Sequence, residues 1–180
     1  MNWFLETERL QLRSLVEADF RNLCDLNSDP AVTKYLGLEP SSPEQMKEVV
    51  QKIMSRDLGY QNQLGLFIAI EKSSGAFIGW FILRPGNENP NDFSNLEIGW
   101  RLKQRFWGKG YGTESAMALK LYALKRGAHR LYATTVSANI ASIRIMEKIG
   151  LALDRTYVDA DEYWSQPTEL VEYSCVLIKS

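Results

Sequence analysis

The sequence predicts an α/β domain, a mixed central sheet of about seven strands flanked by helices. Three observations carry that reading. Segments alternating apolar and polar residues with the period of a strand are interleaved with segments of helical spacing. A strand at Asn95 to Lys103 runs through a glycine-rich turn and a helix into a second strand at Arg130 to Val136, and two strands joined by a helix lie parallel. Two further pairs are joined by short polar turns, Ser73-Ser74-Gly75 and Asp161 to Thr168, which makes them antiparallel. The 180 residues, 45% apolar and 24% charged, suit one globular domain over 1–180 with a single core.

Taken in order, Thr7 to Leu15 alternates as a first strand with Leu10 and Leu12 on one face. Val16, Phe20, Leu23 and Cys24 then recur at helical spacing, so Glu17 to Asn27 is a helix. Asp29 as N-cap with Pro30 behind it starts a short second helix that stops at Gly37. Ser42-Pro43-Glu44-Gln45 is a capping box, opening a helix whose buried stripe is Met46, Val49, Val50 and Ile53 and whose end is near Gly59. Leu64 to Lys72 and Ala76 to Arg84 are the next strands. The second has no polar face and belongs in the middle of the sheet, covered on both sides.

Pro85 to Asp92 is a loop leading into Asn95 to Lys103, where Leu96, Ile98, Trp100 and Leu102 alternate with Glu97, Gly99, Arg101 and Lys103. Thr113 to Arg126 is the following helix, ended by Gly127. Asn139 caps a last helix to Ile149, with Ile143 and Met146 inward and Gly150 as its stop. Leu151 to Asp159 and Glu169 to Ile178 close the chain as strands.

Composition removes several function classes. A net charge of -1 with no basic tract offers nothing to nucleic acid or an anionic membrane. No charged leader with a long apolar run is present, and no stretch approaches a membrane-spanning length, so a cytoplasmic protein is expected. Cys24 and Cys175 sit in apolar-patterned segments and read as buried reduced thiols. With His129 the only histidine and no C-x-x-C or H-x-x-x-H spacing, neither a metal site nor a Ser-His-Asp triad is expected.

The chemistry concentrates in the turn, where Gly108, Gly110 and Gly112 occupy every second position ahead of a helix. Glycines let backbone N–H groups approach a ligand, and a helix N-terminus adds unpaired donors and the positive end of its dipole, which together suit a phosphate or diphosphate. A Walker-type loop is a poor match, because Lys109 lies between two glycines and Thr113 has no Lys before it. A dinucleotide fingerprint meets Thr113 where its third glycine belongs.

Arg105-Phe106-Trp107-Gly108-Lys109-Gly110 resembles the [Q/R]-x-x-G-x-[G/A] signature of the GCN5-related N-acetyltransferases. Four further segments agree in order and spacing. TERLQLR at Thr7, the Asp29-Pro30 helix, EIGW at Glu97 and NIASIRIMEKIGL at Asn139, with FWGKGYGTE at Phe106, are similar to the RimJ/RimL branch of that family, which acetylates protein N-terminal amines among others. The resemblance covers nearly the whole chain. It implies a GNAT fold in which acetyl-CoA lies between two splayed parallel strands, here Asn95 to Lys103 and Arg130 to Val136.

On that resemblance, backbone groups of Ile98, Gly99 and Trp100 face the pantetheine. N–H groups of Phe106, Trp107, Gly108, Lys109, Gly110 and Tyr111, extending to Gly112, face the diphosphate. Asn139 has two roles open to it, helix cap alone or cap with a side-chain contact to CoA. Glu114 in the first helical turn is accounted for by the helix dipole. Glu97 is the candidate general base, directly or through water, with a purely structural carboxylate as the other reading, and a bulge at Gly99 would change the face it occupies. Many family members protonate the leaving thiolate with a Tyr seven residues after the motif Asn, but Met146 stands there. Ser142 matches the branch's N-x-x-S pattern and is the candidate acid, its alternative being a polar residue at a helix entry.

The expected activity is direct transfer of acetyl from acetyl-CoA to an amine, foremost a protein N-terminal α-amine. A small-molecule amine (polyamine, amino acid or antibiotic) and a noncatalytic CoA-binding sensor or scaffold are the alternatives. The C-terminal hairpin carries Asp154, Asp159, Asp161, Glu162, Glu169 and Glu172 against Arg155 and Lys179. A solvated hairpin is the default reading, and the alternative is that, with the Pro85 to Asp92 loop and the first helices, it frames the acceptor cleft and attracts a cationic amine. The family includes monomers and homodimers, and both remain open.

Overall fold

The computed structural model describes residues 4–37, 42–61, 63–86, 89–161, 164 and 166–178. The strands are β1 (Leu5–Glu6), β2 (Leu10–Ser14), β3 (Gly65–Glu71), β4 (Phe77–Pro85), β5 (Asn95–Leu102), β6 (Arg130–Val136), β7 (Ala152–Asp159) and β8 (Thr168–Val176). The helices are α1 (Phe20–Asn27), α2 (Pro30–Thr33), α3 (Pro43–Gly59), α4 (Tyr111–Lys125) and α5 (Ile140–Lys148). They form one eight-stranded sheet in the order β1-β2-β3-β4-β5-β6-β8-β7. β5 and β6 pair parallel and the other neighbours antiparallel. The strand absent from the seven expected is β1, a two-residue pairing of Leu5 and Glu6 with Leu12 and Gln11, too short to leave a period in the sequence.

Two apolar layers hold the sheet. Leu12, Phe67, Phe81, Leu83, Leu96, Ile98 and Leu131 meet Ala116, Leu119, Met146 and Ile149 from α4 and α5 on one face. On the other, Leu66, Ile68 and Phe77 meet Leu23, Leu26, Met46 and Val50 from α1 and α3. Each fully buried Leu or Phe contributes about 1.5–3 kcal/mol relative to exposure. β4 feeds both layers, Phe81 and Leu83 to one side and Phe77, Trp80 and Ile82 to the other, as its lack of a polar face requires.

The capping box at Ser42 forms in both directions, Gln45 N–H to Ser42 Oγ at 3.2 Å and Ser42 N–H to Gln45 Oε1 at 2.8 Å. Asp29 Oδ1 accepts from Ala31 N–H at 2.9 Å ahead of α2. Val49 departs from the expected stripe and is 40% exposed. The first helix begins later than its spacing suggested, because Asp19 turns inward in a 3₁₀ turn (Glu17–Asp19), takes Arg13 at 2.6 and 2.7 Å and accepts from Val16 N–H at 3.0 Å.

No register shift occurs at Gly99, since β4 and β5 pair without interruption from Leu96 to Leu102. The irregularity lies across the sheet. Ala69 pairs with Gly79 and Ile70 with Phe77, which leaves Ile78 unopposed on β3. Gly79 takes φ +153° there, and a Cβ on it would meet Arg101 O at 2.1 Å. The Ile78 carbonyl released by this bulge accepts from Lys103 N–H at 2.9 Å and so ties down the end of β5. Among the described residues no helix is long and apolar enough to cross a membrane.

Candidate functional site

β5 and β6 pair over three positions only, Asn95 with Arg130, Leu96 with Leu131 and Glu97 with Tyr132. Beyond Glu97, β5 keeps its ladder with β4 while β6 follows β8, so the strands part and the β6-facing edge of Ile98 to Leu102 borders a gap. Ile98 points into the core at 1% exposure, while Gly99 and Trp100 are half-buried.

The loop past Leu102 is braced from inside. A 3₁₀ turn (Gln104–Phe106) closes with Phe106 N–H on Lys103 O at 2.9 Å and Trp107 N–H on Gln104 O at 3.0 Å. Those two amides are therefore committed, and the expected donor set narrows to Gly108, Lys109, Gly110, Tyr111 and Gly112. Trp107 Nε1–H donates to Leu102 O at 2.8 Å, and the buried Phe106 ring meets Tyr111 edge-on at 6.0 Å. Gly108 and Gly110 take φ +72° and +83°, the left-handed region that glycine enters without a Cβ penalty. A Cβ on Gly108 would meet nothing, so the loop is open there.

Helix α4 starts at Tyr111, two residues before the expected Thr113, because Gly110 is its N-cap. Tyr111, Gly112 and Thr113 thus supply the first-turn N–H groups that lack an intrahelical acceptor, and Glu114 N–H makes the first helical bond, to Gly110 O at 3.0 Å. An open concave loop, two left-handed glycines and a helix N-terminus together fit a diphosphate.

Glu114 does more than its place near a dipole required. Its carboxylate accepts from Thr7 Oγ1 at 2.6 Å, Arg9 N–H at 2.9 Å and Arg9 Nε at 2.6 Å. Burial works against its ionised form, but the bonds from Thr7 and Arg9 prevail and hold its carboxyl below the ordinary value. Arg9 also donates to Lys109 O at 2.9 Å and lies over the Tyr111 ring at 4.3 Å, while the Tyr111 hydroxyl donates to Glu71. Arg9 and Glu71 were not singled out from the sequence. The only local signal was Arg9 within the TERLQLR segment.

Asn139 caps α5, accepting from Ser142 N–H at 3.3 Å, and its Nδ2 donates to Thr135 Oγ1 at 3.1 Å. Both ends of its amide serve the fold, and they link the helix start to the far end of β6. Ser142 is half-buried in the first turn of α5, and Met146, seven residues after Asn139, is a core side chain at 2% exposure.

Glu97 faces the α1/α3 side of the sheet at the point where the strands part. It pairs with Arg84 across the β4–β5 ladder at 2.9 Å. Its neighbour on β6 is Tyr132, whose hydroxyl is pushed up to about 12 by burial first, then by the charges of Glu97 and Glu172. Further along that face Arg130 binds Asp154 at 2.6 Å and Glu172 at 2.7 Å, and Arg155 binds Glu172 at 2.8 Å. Two acids of the C-terminal hairpin are thereby neutralised, and Asp159 accepts from Asp161 N–H and Trp164 Nε1, both at 3.1 Å. Glu162 lies outside the described residues.

A groove of ≈ 380 Å³ opens beside the loop, lined by Asp25, Leu26, Ser28 and Asp29 from the α1–α2 corner and by Lys103, Gln104 and Arg105. Lys103 pairs with Asp25, and Arg101 donates to Asn27 at 2.5 Å while lying over Trp80. The first helices thus form a wall next to the open end of β5.

Comparison with known proteins agrees with this architecture. The acetyltransferase (GNAT) domain family matches residues 9–152. The protein YkkB of Bacillus subtilis strain 168 is 31% identical over 171 residues, 93% of this chain and 94% of its own length. The FsC-acetyl coenzyme A-N(2)-transacetylase of Aspergillus fumigatus is 29% identical over 159 residues, 85% of this chain and 66% of its own. Among solved structures, a GNAT-family acetyltransferase from Bacillus anthracis superposes with a TM-score of 0.82 at 24% identity, covering 96% of this chain and 97% of that one. RimL, a ribosomal L7/L12 α-N-protein acetyltransferase in complex with coenzyme A, superposes at 0.80 with 18% identity and 98% coverage of both chains. A parting parallel strand pair, a glycine loop at a helix start and a family match across most of the length converge, and the chain belongs to the GNAT acetyltransferase family.

Proposed function

We propose that this acyltransferase moves an acetyl group from acetyl-CoA directly to the α-amine at a protein N-terminus. The observation that carries the reading is the opening of β5 from β6 after Glu97, immediately ahead of the Gly108–Gly112 loop. When bound, acetyl-CoA supplies the activated acyl group. The chain's own part is to hold it: N–H groups of Gly108, Lys109, Gly110, Tyr111 and Gly112 at the diphosphate, backbone of Ile98, Gly99 and Trp100 along the pantetheine, and Asn139 at the start of α5.

An amine attacks only when neutral. Deprotonating an amine of pKa about 10.4 at pH 7 costs roughly 4.6 kcal/mol, against roughly 1.4 for an α-amine near 8. Glu97, the candidate base, is already engaged by Arg84, an arrangement suited to steering a proton through water from an amine that releases it easily. Ser142 stands at the first turn of α5 as the candidate proton donor to the departing thiolate, which needs little help in leaving. The balanced charge of the Arg130, Arg155, Asp154 and Glu172 cluster gives a polycation little net attraction, which favours a peptide terminus over a polyamine.

Thiol release from acetyl-CoA against N-terminal peptides, polyamines, amino acids and aminoglycosides tests this. Turnover is expected with the peptides. Turnover confined to the small amines would reassign the acceptor, and tight CoA binding without turnover on any amine would leave a noncatalytic sensor.

A further inference from the structure

Resting on the reading that the Gly108–Gly112 loop holds the diphosphate of coenzyme A, we propose that Arg9 is a positioning residue that sets the orientation of the Lys109–Gly110 peptide and so aims the Gly110 N–H at the ligand. A trans peptide carries its carbonyl and its N–H on opposite sides, and the chain has no cis bond among the described residues. Arg9 Nη1 donates to the Lys109 carbonyl at 2.9 Å. The Gly110 N–H therefore points away from Arg9.

The choice has to be made from outside the loop. Gly108 and Gly110, both at positive φ, permit either orientation of the intervening peptides at low cost, and the flipped one would turn a carbonyl oxygen toward a phosphate. Arg9 is itself held on three sides. Its Nε and Nη2 lie 2.6 Å from Glu114 Oε2, its Cζ is 4.3 Å from the Tyr111 ring centre, and its own N–H donates to Glu114 Oε1 at 2.9 Å. The turn that carries it is anchored by Lys72, through Nζ to Thr7 O at 2.7 Å and N–H to Arg9 O at 2.9 Å. The pairing has an electrostatic side as well, because an uncompensated Glu114 carboxylate in the first turn of α4 would repel the anion that the turn attracts.

The test compares acetyl-CoA with S-acetylpantetheine, a thioester lacking the diphosphate, at one saturating acceptor, for wild type, Arg9→Ala and Arg9→Lys, with melting temperatures measured alongside. Arg9→Ala should raise KM for acetyl-CoA at least tenfold, change kcat less than about threefold and move KM for S-acetylpantetheine less than about twofold. Arg9→Lys keeps a charge opposite Glu114 but lacks the fork needed to reach Lys109 O as well. It should fall between the other two, and it carries the test should the alanine variant not fold. An unchanged KM for acetyl-CoA, or equal losses with both thioesters, overturns the positioning role. A wild type that uses both thioesters equally well overturns the diphosphate reading itself, a pattern visible before any variant is made.

Discussion

The two ends of β5 solve different problems with different parts of the chain. Over Asn95 to Glu97 the strand is bonded on both edges, and its polar groups are side chains, Glu97 lying between Arg84 on β4 and Tyr132 on β6. From Ile98 onward one edge is open, and the groups left facing the gap and the glycine loop beyond it belong to the main chain. A backbone site must bend the chain locally, so it leaves glycines close together in sequence. A side-chain site is assembled across a sheet from strands distant in sequence, and it leaves no local mark.

Breaking the open end should give the largest effect. Gly79→Ala drives a Cβ into the Arg101 carbonyl, 2.1 Å away, and is expected to lose about 3 kcal/mol in urea unfolding through strain and overpacking. An unchanged urea midpoint would mean that the bulge is not what seats the end of β5. Gly110→Ala strains the loop at the α4 cap, where φ +83° costs a side chain about 1–2 kcal/mol, and it brings a Cβ to 3.3 Å from Arg9 Nη2. Calorimetry should then find coenzyme A bound roughly tenfold more weakly, equivalent to about 1.4 kcal/mol.

The closed end is probed by Glu97→Gln. Its pair with Arg84 is mostly buried and contributes more than the about 1 kcal/mol of an exposed pair. The variant should therefore lose some stability but keep its fold and its affinity for coenzyme A. Its kcat should fall about tenfold, less than the roughly 10²–10⁴-fold usual for a general base, because an α-amine releases its proton easily. A shifted melting temperature with unaltered kcat would assign Glu97 to the ion pair only. Ser142→Ala should lower kcat severalfold while KM for acetyl-CoA stays within about twofold, and an unchanged kcat removes its role as acid.

The effect absent at neutral pH is an alkaline dependence at the same corner. With the Tyr132 hydroxyl raised from 10.0 to about 12, its contribution to stability is complete below pH 10 and is lost as pH rises toward 12, because the unfolded chain releases that proton first. Tyr132→Phe should flatten that part of the stability–pH curve, and a curve identical to wild type would place the alkaline sensitivity elsewhere.

The same contrast explains what the sequence made legible. The parallel pairing across the crossover, the caps at Asp29, Ser42 and Asn139, and the glycine turn ahead of α4 are readable, since each depends on residues within a few positions. The start of α4 was misjudged by two residues because Gly110 at positive φ serves as its cap where a polar residue is usual. In the acidic hairpin, Asp154 and Glu172 are covered by Arg130 and Arg155, and Arg130 comes from β6, outside the hairpin's own sequence. Nothing near Glu97 in sequence announces Arg84 or Tyr132, and nothing near Glu114 announces Arg9. Arg84 and Tyr132 are set by strand register and Arg9 by the docking of the turn before β2 against α4, which only the fold supplies.

Because β8 lies between β6 and β7 although it follows both in sequence, the far wall of the strand opening is completed by residues synthesised after both. A nascent chain that has not yet released 168–176 from the ribosome has β6 as a bare edge, a template for pairing with other chains. The far side of the strand opening and the protection of β6 from aggregation are thus gained together, in the one step that docks β8.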